Sequence, residues 1–278
     1  MAQWGNYHII NVGDEMRPIA LFLLSILTCL PALAAAPYQS APERQEAPVK
    51  DWGPWAGPWR AKVIAMMGVD FGEQYLYAPA NAALPPPEQG ERRVVFLGDS
   101  ITDMWDLARF FPGKPYVNRG IGGQVLPQML VRFAADVAAL HPKAVVILGG
   151  INDVSGALQV ETPGQIEANW RMLAQLAEAN GIRPIFTLLL PLNNYTENAR
   201  HMLEERDPKL VAALNDWLRA FCLDHGYGLI DYGPSLRDAK GMMAAHFTAD
   251  GLHPNDAAHA LMAPVAAKVI EQTVGSNG

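Results

Sequence analysis

From Arg93 onward the sequence alternates short apolar runs with helical patterns, and this limits the chain to a parallel sheet covered by helices on both faces. The runs are Val94–Leu97, Tyr116-Val117-Asn118, Ala144–Leu148, Ile185–Leu190 and Leu229-Ile230-Asp231. The longer ones do not alternate polar with apolar residues, as expected of strands covered on both sides. Between them, Pro127–Leu140 places Met129, Leu130, Phe133, Val137 and Leu140 on one helical stripe. Helices are also predicted over Pro163–Asn180, stopped by Gly181, and over Pro208–His225, with Asp103–Phe111 a short helix or irregular turn. A last helix starts near Asn255 or Asp256, with a kink expected at Pro264. Right-handed crossovers through five such strands predict a flavodoxin-like three-layer α/β/α sandwich with a five-stranded parallel sheet.

In such a sheet the carboxyl ends of the strands form the ligand-binding rim. The first strand ends in Gly98-Asp99-Ser100-Ile101-Thr102, the second in Asn118-Arg119-Gly120-Ile121-Gly122-Gly123 and the third in Gly150-Ile151-Asn152-Asp153. The loop holding Asp250-Gly251-Leu252-His253 leads to the same rim. Each piece has a plain structural reading. Asp99 or Ser100 can cap a helix, Asn-Asp can do the same, Gly-Gly is a turn, and Asp-x-x-His is a common surface loop. Together they supply the parts of an ester hydrolase. Ser100 is a nucleophile, His253 its base and Asp250 the group that fixes the base, with backbone N–H groups of the Gly122-Gly123 loop and the Asn152 carboxamide as oxyanion donors.

These four blocks, in this order, resemble the SGNH, or GDSL, hydrolase family. The resemblance runs from Arg93 to about Ile270 and implies Ser100, Asp250 and His253 as catalytic residues. It also implies an oxyanion hole made by the Ser100 and Gly123 backbone N–H groups and Asn152, no metal, and no cofactor. Ile101 stands where the family name has leucine, a conservative change, and Gln124 follows the oxyanion glycine where other members carry an acidic or other polar residue. The lipase-type Gly-x-Ser-x-Gly elbow is absent. A metal site built on His246, Asp250 and His253 is the weaker reading, because the family-like arrangement already uses two of them. His259, early in the last helix, reads as a surface or capping residue.

The amino-terminal part follows a different logic. Ile19–Leu30 is an apolar stretch of signal-peptide length, preceded by Arg17 and followed by Ala32-Leu33-Ala34, a small-x-small cleavage pattern. Residues 1–36 therefore read as a signal peptide, with Met16 as the start and residues 1–15 as a non-native upstream extension carrying Asp14 and Glu15 where positive charge belongs. Residues 37–90 read as an arm or linker bearing Trp52, Trp55 and Trp59 and ending in the stiff Pro85-Pro86-Pro87 spacer, and residues 91–274 as the hydrolase domain. Cleavage would leave about 240 residues, enough for one large α/β core. It would also leave Cys222 as the single cysteine, so no internal disulfide is available.

A net charge of −7, with 21 basic residues and no basic runs, argues against nucleic acid and anionic membrane surfaces as partners. The absence of a P-loop and of a complete dinucleotide fingerprint leaves nucleotide binding unsupported. The expectation is a secreted or periplasmic serine esterase acting through an acyl-enzyme, without stable membrane insertion after signal cleavage. Its substrate is a small-molecule or glycan ester with a short acyl group, acetyl foremost, because the rim loops are mixed in polarity. A lipase, arylesterase or thioesterase acting on longer chains is the alternative within the same chemistry. A catalytically silent glycan-binding module would have no reason to hold Ser100, Asn152, Asp250 and His253 together. A flavin carrier would leave Ser100 and His253 without purpose.

Overall fold

The structure, a computed structural model, describes residues 61–275. The leader-like stretch and Trp52, Trp55 and Trp59 lie outside the described residues. Five strands form one sheet: β1 Val94–Gly98, β2 Tyr116–Gly120, β3 Ala144–Leu148, β4 Arg183–Thr187 and β5 Gly228–Ile230. The helices in chain order are α1 Ala78–Ala83, α2 Ser100–Asp103, α3 Leu107–Phe110, α4 Leu126–Asp136 and α5 Ile151–Val154. They continue with α6 Pro163–Ala179, α7 Met202–Glu205, α8 Pro208–His225, α9 Gly233–Leu236 and α10 Asp256–Val274.

The strands are ordered β2-β1-β3-β4-β5 and all pair in parallel, the expected five-stranded α/β/α arrangement. The chain steps from β1 out to β2, then crosses back over β1 to β3. Right-handed crossovers therefore put α4, α6 and α8 on one face and the β1–β2 connection on the other, where α10 joins it. The packing agrees: α4 meets α6 and α6 meets α8, whereas α10 lies on β3, β4 and β5 and touches α3. Every residue of β1 and β3 is buried, which is why both read as unbroken apolar runs.

The helices begin where local chemistry supplies partners for their first N–H groups. Thr162 and Gln165 cap α6 reciprocally, with Gln165 Oε1 accepting the Thr162 N–H at 2.8 Å. Asp207 accepts the Lys209 N–H ahead of α8, Pro208 opens that helix, and Gly226 closes it with φ +70°.

Two expectations change in detail. The apolar run Ile185–Leu190 is buried throughout, yet β4 ends at Thr187. The reason is Asn215 of α8, whose side chain accepts the Leu189 N–H at 2.8 Å and donates to the Leu189 carbonyl at 3.0 Å, replacing a neighbouring strand. His259 is not a surface or capping residue. It is 2% exposed and stacks on Trp105 with ring centroids 5.1 Å apart, because its position on α10 faces α3 and the sheet. Burial pushes its imidazole down to about 4.

Helix α4 carries a feature that periodicity alone does not reveal. Its buried side includes Gln128, Arg132 and Asp136, one per turn beside Met129 and Phe133. Arg132 has no solvent exposure and spends its guanidinium on four acceptors. Nη2 donates to the Gly98 carbonyl at 2.9 Å and Nη1 to the Arg119 carbonyl at 2.8 Å, while Nη1 also reaches Asp136 at 3.1 Å and Nε donates to Gln124 Oε1 at 2.7 Å. One side chain thus fixes the ends of β1 and β2 relative to each other. Asp136→Ala leaves this buried cation without its counter-charge and should lower the free energy of denaturant unfolding by about 3 kcal/mol. Glu271→Ala, which breaks only the exposed pair with Lys114, should cost less than about 1 kcal/mol. Equal costs at the two sites would contradict the role given to Arg132.

Candidate active site

The site forms where β1 stops. Gly98 is followed at once by Asp99, which caps α2 by accepting the Ile101 N–H at 3.0 Å. The cap turns the chain so sharply that a Cβ on Gly98 would lie 2.1 Å from Thr102 Oγ1 and 2.7 Å from the Leu148 carbonyl, so only glycine fits. Ser100 is therefore the first residue of α2, above the strand at the point where the strand order reverses.

His253 meets it from the loop before α10. Ser100 Oγ and His253 Nε2 are 2.8 Å apart, and His253 Nδ1 and Asp250 Oδ2 are 2.6 Å apart. Asp250 Oδ1 accepts three further hydrogen bonds, from the Leu252 N–H at 3.0 Å, the His253 N–H at 2.9 Å and Thr248 Oγ1 at 3.1 Å. Burial alone would raise the Asp250 carboxyl, but the bond from the His253 ring and the backbone donors outweigh it and hold the group well below the usual carboxylate range. An ionised Asp250 requires the proton of His253 to sit on Nδ1, which leaves the Nε2 lone pair facing the serine hydroxyl. Gly251 makes this turn possible: its φ is +82°, and a Cβ there would lie 2.1 Å from the Asn193 carbonyl. Thr248 adds a brace through its hydroxyl, which accepts the Gly251 N–H at 3.0 Å. No sequence motif points to Thr248.

On the other side of Ser100 lies the loop after β2. A Cβ on Gly122 would be 4.0 Å from the Ser100 Cβ, so the loop backbone approaches the hydroxyl closely. The Gly122 N–H is given to the carboxyl of Asp103, which burial raises and this bond lowers. Gly123 turns the chain with φ +78°. Asn152, at the start of α5 and 5% exposed, donates one Nδ2 proton to the Gln124 carbonyl at 3.0 Å. A carboxamide has two such protons, and this bond fixes the direction of the second. The structure thus brings Ser100, Asp250 and His253 into one hydrogen-bonded series and joins Asn152 to the Gly122–Gln124 loop. Among the described residues no group of three His, Cys, Asp or Glu side chains is placed to hold a metal ion, the trio of His246, Asp250 and His253 included.

A cavity of about 490 Å³ opens beside His253 and Asp250. Most of its exposed lining is apolar, Met202 and Leu252 included, and Asn198, His201, Glu205 and Arg206 place polar groups along it. Leu252 apart, these wall residues lie outside every motif, because they come from the segment between β4 and α8.

The sequence matches the GDSL-like lipase/acylhydrolase family over residues 96–261. Among solved structures, an assigned acylhydrolase from Bacteroides fragilis is 33% identical, with a TM-score of 0.69 over 74% of this chain and 99% of its own. A GDSL-like lipase from Bacteroides thetaiotaomicron is 32% identical, with a TM-score of 0.67 over 73% of this chain and 99% of its own. An acetyl xylan esterase shares the fold at 20% identity, with a TM-score of 0.51 over 63% of this chain and 98% of its own. No functionally curated protein matches the sequence. The chain belongs to the GDSL-like lipase/acylhydrolase family. Its activity is that of the class, carboxylic ester hydrolysis on small-molecule substrates.

Asp99 gives the site a measurable pH signature. It is wholly buried, and burial pushes its carboxyl up to about 6 against the opposing bond from the Ile101 N–H and the charges of His253 and Arg206. From pH of about 4 to about 6 the folded Asp99 therefore keeps a proton that the unfolded chain has lost, and its contribution to stability falls as pH rises through this window, opposite to that of buried His259. A displacement of about two pH units corresponds to about 3 kcal/mol. Asp99→Asn should remove that contribution, so its unfolding free energy, measured in denaturant at pH 4 and pH 6, should rise relative to the wild type's on going to the higher pH. Parallel pH profiles would contradict the assignment.

Proposed function

We propose that the protein is a serine esterase that acts through an acyl-enzyme, with Ser100 as nucleophile, His253 as general base and acid, and Asp250 holding His253. The observation that carries this reading is the unbroken series Ser100 Oγ, His253 Nε2, His253 Nδ1, Asp250 Oδ2, with contacts of 2.8 and 2.6 Å. Ser100 loses its proton to His253 as its oxygen bonds to the ester carbonyl carbon. The negative charge moves to the carbonyl oxygen, which takes hydrogen bonds from the backbone N–H groups of Ser100 and Gly123 and from Asn152. The imidazolium then returns its proton to the leaving alcohol as the ester C–O bond breaks. Water, deprotonated by His253, releases the acid from Ser100 in a second passage through the same states.

This mechanism has a geometric consequence for the substrate. The leaving oxygen takes its proton from His253 Nε2, so the alcohol half must lie on the His253 side, against the 490 Å³ cavity. Amide, imidazole, carboxylate and guanidinium groups along that wall suit a hydroxyl-rich alcohol such as a sugar. Support for a short acyl group comes from the rim loops Gly122–Gln124, Asn193–Asn198 and Ser235–Phe247, whose sequences are mixed in polarity. The reading is therefore removal of short acyl groups, acetyl foremost, from a carbohydrate or another polar alcohol. Export of the enzyme fits the signal-like pattern of residues 16–36. No helix among the described residues is long and apolar enough to cross a membrane.

The p-nitrophenyl ester series from acetate to palmitate tests the proposal. Acetate and butyrate should turn over and palmitate should not, and Ser100→Ala should lower kcat by several orders of magnitude, on the order of 10⁶. A palmitate preference would overturn the short-acyl assignment, and a Ser100→Ala variant as active as the wild type would overturn the mechanism.

A further inference from the structure

The family match begins at Phe96, yet the segment just before β1 is bound to the candidate oxyanion loop through buried polar contacts. Glu73 is 4% exposed and sits in the left-handed region with φ 54°, a backbone state that costs a non-glycine residue on the order of 1 kcal/mol. Its carboxylate accepts Gln124 Nε2 at 3.2 Å and Gln128 Nε2 at 3.5 Å. Gln124 Nε2 also donates to the Gly72 carbonyl at 3.0 Å, and Gln124 Oε1 accepts from Arg132 Nε at 2.7 Å. Arginine can only donate, and a carbonyl and a carboxylate can only accept, so the Gln124 amide has one possible orientation. Gln124 is wholly buried, and its own carbonyl is the group that holds Asn152 Nδ2 at 3.0 Å.

The same segment is clamped at two more points. Tyr77 donates its hydroxyl to the Gly120 carbonyl at 2.5 Å, directly before the loop. Asn81 donates to Asp136 Oδ1 at 2.7 Å and accepts from Arg119 Nε at 2.8 Å. The Arg119 guanidinium also lies 4.6 Å from the centre of the Tyr77 ring.

We propose that residues 70–83 are a strut of the catalytic apparatus, in which Glu73 acts with Arg132 as a positioning residue that sets Asn152 for the oxyanion through Gln124. The inference rests on the oxyanion role given to Asn152 above. None of the strut residues touches substrate. Their effect is on the placement of a donor that must meet the transition-state oxygen to within a fraction of an ångström, where an error of about 1 Å costs on the order of 10²-fold.

A double-mutant cycle on kcat for p-nitrophenyl acetate tests this. Asn152→Ala alone should lower kcat about 100-fold. Glu73→Ala should lower it about tenfold and leave KM within about twofold, with circular dichroism and thermal melting confirming the fold. The double variant should be no slower than Asn152→Ala, because the strut has nothing left to place. Gln124→Met keeps the backbone carbonyl and the side-chain size but cuts the link, and it should give the same non-additive pattern if Glu73→Ala does not fold. Multiplying losses in the double variant would overturn the proposal, as would a folded Glu73→Ala with wild-type kcat or an Asn152→Ala with wild-type kcat. A wild type inert on every ester would remove the enzymatic reading and the strut together. An active wild type with multiplying losses would remove the strut alone.

Discussion

A single guanidinium holds the geometry of this site. Arg132 lies beneath the rim, fully buried, and its hydrogen bonds reach the last residue of β1, the end of β2 and the side chain of Gln124. Those are the pieces of backbone that carry the Ser100 turn and the glycine loop. Burying such a charge is costly unless every N–H finds an acceptor and a counter-charge stands nearby. Asp136 supplies the counter-charge one helical turn away, and the Gly98 and Arg119 carbonyls take two more of the Arg132 donors. The strand ends are therefore tied by directional bonds as well as by apolar packing, which suits a site whose donors must stay fixed while charge moves between atoms.

Around that frame, two carboxyl groups are driven in opposite directions by their surroundings. Asp250 is half-buried and receives a ring N–H, two backbone N–H groups and a hydroxyl, so its ionised form is favoured. Asp99 is wholly buried and receives one backbone N–H on Oδ1, so its neutral form is favoured well above the usual range. The difference follows from the depth of burial and the number of donors, and it sorts the two acids: Asp250 can stabilise an imidazolium, while Asp99 shapes the turn that presents Ser100. Cys222 belongs to neither group. Its thiol is buried on α8 and pushed up to about 12, which keeps it unreactive.

Much of the architecture was legible in the chain because burial on both faces leaves little room for polar residues. Val94–Leu97 and Ala144–Leu148 read as strands for that reason, and their turns read as a rim because Gly, Asp, Ser and Asn cluster after them. The catalytic candidates were legible because each block packs its functional residues within a few positions. What escaped were polar residues whose partners lie far away in sequence. Arg132 and Asp136 look like solvent-facing positions until Gly98 and Arg119 are seen above them. Asn215 looks like an ordinary helical residue until the Leu189 backbone arrives to be satisfied, which shortens β4. His259 stood in a helix with no visible stacking partner, and Trp105 comes from more than a hundred residues earlier. Helical and strand periods report which face is apolar, and they cannot report a buried hydrogen bond.

In the proposed mechanism Ser100 Oγ takes the acyl group, activated by the His253–Asp250 pair. The most direct measurement is labelling with a fluorophosphonate, followed by intact mass and peptide mapping in parallel with esterase assays. One adduct per chain, on the peptide that carries Ser100, should appear at the rate at which activity is lost, and His253→Ala should take up the label far more slowly. Full labelling with activity intact, or an adduct confined to another residue, would contradict the account.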